Sequence, residues 1–181
     1  TGVSFDAAGS TQGLFRMVLA TGEVKDLRVS GTIKATGTGE SIGGIAGVNY
    51  GKITGCRFDG AVRAVSAVGG IAGLNAEGAE ISGCTVAGTL YGRHRAGGIA
   101  GENRGTLRDC RGMMDVNTEY IPDEQDRSFD ISTLRASREE DIIDITDIGG
   151  IAGLSSALIE SCTNSGAVGY PHVGYNVGGV V

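Results

Sequence analysis

A five-residue sequence, Gly-Gly-Ile-Ala-Gly, occurs four times along this chain, and a fifth, altered copy begins as Gly-Gly-Val-Val. The copies start at positions 43, 69, 97, 149 and 178, so successive starts are 26, 28, 52 and 29 residues apart. Repeats of this length are typical of solenoids, in which a unit buries its apolar face only by stacking on its neighbours. The repeat therefore predicts a one-dimensional stack of coils and says more about architecture than about chemistry.

The length and composition fit a single repeat domain. The chain has 181 residues, which we interpret as one domain over 1–181, and its 33 glycines fall at fixed places in the repeat rather than in a disordered tract. No apolar run is long enough to cross a bilayer. Because the chain begins at Thr1 and stops just inside a new repeat, we expect it to be a fragment of a longer protein.

Alignment of the units exposes three apolar columns. The first holds one cysteine per unit, with a leucine in a degenerate first unit: Leu27, Cys56, Cys84, Cys110 and Cys162. The second lies three positions earlier: Val24, Ile53, Ile81, Leu107 and Ile159. The third lies six positions after the cysteine: Ile33, Val62, Leu90, Val116 and Val168. Four positions after the cysteine the residues are Gly31, Gly60, Gly88, Met114 and Gly166. Even offsets match the period of a β-strand, so each unit should contain a strand with one face inward.

Two further columns have the residue types of tight turns. The position before the cysteine is occupied by Asp26, Gly55, Gly83, Asp109 and Ser161, which predicts a corner. A second corner is predicted where Asn49, Asn75 and Asn103, with Ser155 in the fourth place, follow the Gly-Gly-Ile-Ala-Gly segment, which we interpret as a strand. The asparagine side chains should stack from coil to coil.

The predicted fold is therefore all-β, a right-handed parallel β-solenoid of about five to six coils with one acidic excursion. Each coil should run strand, corner, strand, corner, without a helix. We expect one stack of the core to consist of Ile45, Ile71, Ile99 and Ile151.

The order of these features resembles a known repeat. Gly-Gly-Ile-Ala-Gly-x-Asn, then a glycine, then Ile-x-x-Cys and Gly-x-Val, is similar to the bacterial GLUG repeat, from about Gly13 to Val181. The resemblance implies a β-solenoid in a large bacterial surface or secreted protein. Such proteins include filamentous adhesin-like proteins and immunoglobulin A-cleaving metallopeptidases, which carry the repeats outside the catalytic domain. The resemblance brings no catalytic residues with it.

The four cysteines are predicted to be structural. Metal ligands must converge on one point, whereas these residues should lie in a column, about 4.8 Å apart per coil, so we predict no metal site. That spacing would allow disulfides between neighbouring coils, but parallel stacking disfavours the required dihedral angle. We therefore expect reduced, buried cysteines that act as small apolar residues.

The third regular repeat is lengthened by an acidic insertion, residues 117–147. From Asp115 to Asp147 there are eleven acidic residues and three arginines, a net charge of −8, whereas the rest of the chain carries +2. We interpret it as a solvated excursion, with Ser132 as the possible cap of a short helix to about Ile143. The alternative is a loop that binds calcium or a basic partner. Asp115-x-Asn117-x-Glu119 spaces oxygen ligands suitably but lacks the glycine of an EF-hand loop.

Other candidates for chemistry are few. Arg93-His94-Arg95 is predicted to be a solvated basic loop, with phosphate, a sulfated glycan or the acidic insertion as alternative partners. His94 and His172 have no serine or cysteine at the same register, so no catalytic triad can be proposed. The acidic balance argues against nucleic-acid binding. We predict no cofactor and no catalytic residue.

Three functions from different classes remain open. The favoured one is a non-catalytic, monomeric module of an extracellular or cell-surface protein, which serves as a stalk, spacer or adhesion surface for a host or cell-surface protein or glycan. The second is a carbohydrate-active β-helix enzyme, for which the regular coils offer only Asp26, Asp59 and Asp109. The third is an accessory region of a secreted peptidase.

Overall fold

The computed structural model describes residues 2–8, 11–36, 40–118, 146–169 and 175–181. Within these ranges the chain forms 22 strands and no helix. The strands belong to four parallel sheets, and each coil contributes one strand to each sheet in the same order. The protein is therefore a β-solenoid of about five turns, as the repeat predicts. The right-handed turn stays a prediction.

The first two sheets contain six strands each. The first sheet consists of β1 (Gly2–Ala8), β5 (Arg28–Thr36), β9 (Arg57–Arg63), β13 (Thr85–Tyr91), β17 (Arg111–Val116) and β21 (Thr163–Asn164). The second consists of β2 (Thr11–Gln12), β6 (Ser41–Gly43), β10 (Ser66–Gly69), β14 (His94–Gly97), β18 (Thr146–Gly149) and β22 (Tyr175–Gly178).

The other two sheets contain five strands each. The third sheet consists of β3 (Phe15–Val18), β7 (Ala46–Asn49), β11 (Ala72–Asn75), β15 (Ala100–Asn103) and β19 (Ala152–Ser155). The fourth consists of β4 (Glu23–Lys25), β8 (Lys52–Thr54), β12 (Glu80–Ser82), β16 (Thr106–Arg108) and β20 (Ile159–Glu160).

The corner before the cysteine column is confirmed. All five of its residues have a positive φ, with values of 52° for Asp26, 63° for Gly55, 61° for Gly83, 53° for Asp109 and 53° for Ser161. This left-handed conformation is open to glycine at no steric cost and is tolerated by short polar residues. The chain therefore turns here in every coil, between the fourth sheet and the first.

The asparagine corner is also confirmed. Asn49 Nδ2 donates to Asn75 Oδ1 at 2.9 Å, and Asn75 Nδ2 donates to Asn103 Oδ1 at 2.8 Å. Asn103 Nδ2 continues the ladder to Ser155 Oγ at 3.0 Å. The three asparagines are fully buried, so the ladder satisfies side-chain amides that would otherwise be costly in the core.

The Gly-Gly-Ile-Ala-Gly segment is not one continuous strand, and the two-strand coil was a wrong prediction, because each full coil has four strands. β6 ends at Gly43 and β7 begins at Ala46, so the segment forms a corner between the second and third sheets. A Cβ atom on Gly43 would overlap the carbonyl oxygen of Ala46 across this corner. Glycine at position 43 lets the backbone approach Ala46 this closely. Ile45, at the corner itself, points into the core.

The predicted core columns are in place. The isoleucine stack, Cys84 and Cys110 have no solvent exposure, and Cys56 is 1% exposed. Cys162, in the last coil, is only partly buried, as are Val24 and Ile159 at the two ends of their column. Every regular coil therefore closes around the same apolar interior.

One coil fills this interior differently. Met114 is buried where the neighbouring coils have glycine, and Gly112 stands two positions earlier, where the two preceding coils have Phe58 and Val86. A Cβ atom built on Gly70 would lie 2.7 Å from Met114 Sδ, so the methionine reaches the space beneath that corner. A large residue and a glycine have exchanged places along the strand, which keeps the core filled.

The solenoid closes across the acidic insertion. Val116 of β17 pairs with Leu90, and after the insertion Thr146 and Ile148 of β18 pair with His94 and Ala96 of the same preceding coil. Residues 119–145, which include the predicted helix after Ser132, lie outside the described residues. The interpretation of this segment as a solvated excursion stays a prediction.

We predict that the insertion can be removed without loss of the fold. In the preceding coil Tyr91 and His94 are joined by two residues, so replacing residues 119–145 with one glycine recreates that connection between Asn117 and Thr146. Loop closure depends weakly on loop length, so the unfolding midpoint should change little. Far-UV circular dichroism and thermal unfolding test this, and loss of cooperative unfolding would show that the segment is a structural coil.

A second prediction concerns the isoleucine stack. Ile71→Ala should lower the free energy of unfolding by about 2–5 kcal/mol, because the cavity faces coils on both sides. Thr89→Ala, on the exposed face of the first sheet, should change it by no more than about 0.5 kcal/mol. Denaturant unfolding compares the two variants. Equal losses would show that the inward register is wrong.

Candidate functional site

Of the three candidate calcium ligands, Asp115, Asn117 and Glu119, the first two already accept hydrogen bonds from backbone N–H groups. The carboxamide of Asn117 is buried, where it accepts a hydrogen bond from Gly92 N at 2.8 Å and donates to Gly92 O at 2.6 Å. Asp115 Oδ1 accepts a hydrogen bond from Ala167 N at 3.0 Å. Glu119 lies outside the described residues. Asn117 therefore bridges two coils, and among the described residues no three acidic, histidine or cysteine side chains form a metal-binding group.

The basic segment before the third Gly-Gly corner was predicted to be a loop, but His94–Gly97 is strand β14. Arg95 donates to Glu102 Oε2 at 2.6 Å and to Ser66 Oγ at 2.8 Å. Glu102 is 6% exposed and also accepts from Arg104. Arg93 and His94 also have partners within the structure. A buried carboxylate thus requires Arg95, because an unpaired charge at that depth would be costly.

The carboxylates that a glycan-cleaving site would need are not brought together. Asp26 and Asp109 occupy the same corner column, with Gly55 and Gly83 of two intervening coils between them. Asp59 lies on the first sheet and forms a bidentate ion pair with Arg57, at 2.6 and 2.7 Å. The structure leaves each of these three residues in a separate environment.

The cysteine column is a set of backbone hydrogen-bond donors. The thiols of Cys84 and Cys110 donate to carbonyls two residues earlier, at 3.4 and 3.3 Å, and lie 3.6 and 3.7 Å from carbonyls of the preceding coil. None of the four cysteines forms a disulfide. The small thiol therefore serves the corner as both an apolar residue and a weak donor.

The direction of the pKa shift alternates from one cysteine to the next along this column. The pKa of Cys84 is raised by the thiols of Cys110 and Cys56 and by burial, and the pKa of Cys162 is raised by Cys110 and by burial. The thiol of Cys84 lowers the pKa of Cys56 to about 7, and the thiols of Cys162 and Cys84 lower that of Cys110 to about 4. Burial opposes ionisation at all four, so access to solvent limits their reactivity.

A groove lies at the ends of β5, β9, β13 and β17 in the first sheet. It encloses about 220 Å³. Its walls carry charged, hydroxyl and aromatic side chains: Thr32, Lys34, Arg63, Thr89, Tyr91 and Asp115. The guanidinium carbon of Arg63 lies 4.6 Å from the centroid of the Tyr91 ring, within cation–π range. We call this the sheet-end groove. Sequence reasoning missed it, although its residues stand five and seven positions after the cysteine column.

The stacked coils, with the same residues at the same place in each, define a β-solenoid repeat protein. A family model for the GLUG motif matches residues 38–63 and 64–91, two successive coils that end with β9 and β13. The chain therefore carries GLUG repeats, as the resemblance predicts. No curated protein and no solved structure matches the chain. A relation to immunoglobulin A-cleaving peptidases stays a prediction.

We predict that the cysteines differ in their reaction with iodoacetamide. In the native protein near pH 8, only the partly exposed Cys162 should be alkylated, and slowly, because its pKa is raised. All four cysteines should react after unfolding in guanidinium. Intact mass and peptide mapping count the sites. Cys162→Ala should abolish native labelling, whereas rapid labelling of Cys84 or Cys110 would show that the column is not in the core.

Proposed function

We propose that this chain is a non-catalytic repeat module of a bacterial cell-surface or secreted protein, where it acts as a stalk, spacer or adhesion surface. The observation that carries the proposal is the uniform stacking of GLUG coils. Among the described strands, each coil pairs with the coil before it and the coil after it, through parallel strands in the four sheets. Such a stack gains length with each added repeat while the cross-section stays constant, which suits a spacer.

The internal construction supports the same role. The asparagine ladder, the cysteine column and the isoleucine stack all run along the solenoid axis and tie each coil to the next. A stack tied together in this way needs no disulfides to hold neighbouring coils in register. The described part of the chain contains no helix that is long and apolar enough to cross a membrane.

The arrangement of the polar residues favours a scaffold over an enzyme. Asp59 is neutralised by Arg57, and Glu102 is neutralised by Arg95 and Arg104. General acid–base catalysis of glycan cleavage requires two carboxyl groups on either side of one bond. The candidates that the sequence offered, Asp26, Asp59 and Asp109, do not meet that requirement.

The location of the full-length protein in its own bacterium tests this proposal. An antibody raised against residues 11–118 should label intact cells or detect the protein in the culture medium. Brief protease treatment of intact cells should remove the cell-bound signal. A known cytoplasmic protein of the same cells, probed in parallel as a control for leakage, should stay undetected until the cells are lysed. Labelling that appears only after lysis would contradict a surface or secreted role.

A further inference from the structure

The outward side of the first sheet carries a charge opposite to that of the whole chain. Outward residues alternate with buried ones along its strands, most clearly in β17. On β5, β9, β13, β17 and β21, five outward residues are cationic: Arg28, Lys34, Arg57, Arg63 and Arg111. On these five strands two outward residues are acidic, Asp59 and Asp115. Strand β1 of the same sheet adds Asp6 in register with Lys34. With Asp6 counted, the sheet has an excess of two positive charges, although the chain has a net charge of −6.

Two of the cations are held side by side in the sheet-end groove. Lys34 and Arg63 are register partners on the adjacent parallel strands β5 and β9. Like charges on neighbouring strands repel each other, and on its other side Lys34 is in register with Asp6 of β1. Among the residues whose side chains the structure describes, no carboxylate forms an ion pair with either of them. An anion that bridged them would relieve the repulsion.

The groove also offers the groups that recognise a sugar ring. The guanidinium of Arg63 lies over the Tyr91 ring, and its planar fork carries five N–H donors that suit a carboxylate or sulfate. Thr32 and Thr89 add exposed hydroxyls, and Asp115 adds a carboxylate. An arginine over an aromatic ring, beside hydroxyl and carboxylate groups, suits a polar ring that bears an acidic substituent.

We propose that the sheet-end groove binds an acidic polysaccharide, with Lys34 and Arg63 bound to its carboxylate or sulfate groups and the Tyr91 ring supporting the position of Arg63. The groove volume of about 220 Å³ is below the 300 Å³ or more of a typical pocket for a drug-sized ligand. It therefore accommodates one unit of a polymer. The polymer would continue along these strands toward their beginnings, where Arg57 of β9 and Arg111 of β17 lie on the same face.

This inference rests on the proposed function, because a polysaccharide-binding face has a use only where the protein meets the outside of a cell. The two claims can fail separately. Binding is measured on purified protein, whereas surface exposure is measured on cells, so a protein located on the surface that binds no glycan would overturn this inference alone.

Binding of the purified chain to defined polymers tests the proposal. Polygalacturonate supplies carboxylates, heparin supplies sulfates, and dextran supplies sugar without charge. We expect affinity for polygalacturonate or heparin, none for dextran, and weakening as salt rises from about 50 to about 300 mM. The stronger of the two acidic polymers identifies the anionic group. Poly-L-glutamate, a polyanion without sugar rings, should bind at least about tenfold more weakly.

Matched variants locate the site. Lys34→Gln with Arg63→Gln should weaken binding by roughly tenfold or more, because two charged contacts are lost. Arg16→Gln with Lys52→Gln removes the same charges from exposed positions on the third and fourth sheets and should leave affinity within about twofold. Tyr91→Phe should retain binding, and Tyr91→Leu should weaken it. Unfolding midpoints confirm that each variant is folded.

Three results would overturn the proposal. The first is the absence of binding to both acidic polysaccharides. The second is equal binding to poly-L-glutamate, which would indicate attraction by charge alone. The third is an equal loss of affinity in the two double variants, which would place the binding surface elsewhere on the solenoid.

Discussion

The close approach of backbone to backbone at the Gly-Gly-Ile-Ala-Gly corner is the constraint on which the rest of this solenoid depends. A Cβ atom on Gly73 would overlap the backbone of Ser41 and Ile42 in the preceding coil, and one on Gly43 would overlap Ala46. The second and third sheets therefore meet through backbone atoms, and any side chain larger than hydrogen would force them apart. Because the next coil repeats this geometry, such a change would disturb the register of both coils.

A corner this tight in every coil places backbone polar groups in an apolar interior, where they need partners. At two of the corners, one recurring residue type, asparagine or cysteine, supplies hydrogen bonds to these backbone groups. At the corner between the third and fourth sheets, Asn49 accepts from Gly51 N and donates to Glu80 O as well as to Asn75. At the corner before the first sheet, the cysteine thiols donate to backbone carbonyls. These polar residues act as connectors between coils, and this explains why they recur with the apolar columns.

The sequence was sufficient to predict the features that depend on a single position repeated in every coil. The apolar columns, the left-handed corner and the asparagine ladder could each be read from one aligned position. The corner at Gly44 and Ile45 could not, because a run of glycine and alanine has no side-chain alternation that separates a strand from a bend. The exchange between Gly112 and Met114 also escaped prediction, since it depends on the volume shared by two positions rather than on either residue.

The candidate groove was harder to predict because it joins outward residues from four separate coils. The same alignment contains the signal: Lys34, Arg63 and Tyr91 occupy one outward column, seven positions after the cysteine. Inward columns can be detected in the alignment because the same residue type recurs in each coil. This outward column has a different residue in each coil, so the alignment does not mark it as a site. The interior of a solenoid supplies nearly all of its stability, so the exterior can hold an unfavourable arrangement at modest cost.

The pair formed by Lys34 and Arg63 is such an arrangement. Several other cations on this structure have a carboxylate partner: Arg57 pairs with Asp59 on its own strand, Arg108 with Glu160 in the next coil, and Arg95 with Glu102 across a corner. Lys34 and Arg63 differ from these pairs because neither forms an ion pair with a carboxylate among the residues whose side chains the structure describes, and Asp6 of β1 is in register with Lys34 alone. In the proposed site, an anionic ligand in the sheet-end groove would supply one negative group to both cations, which a residue on β1 cannot do.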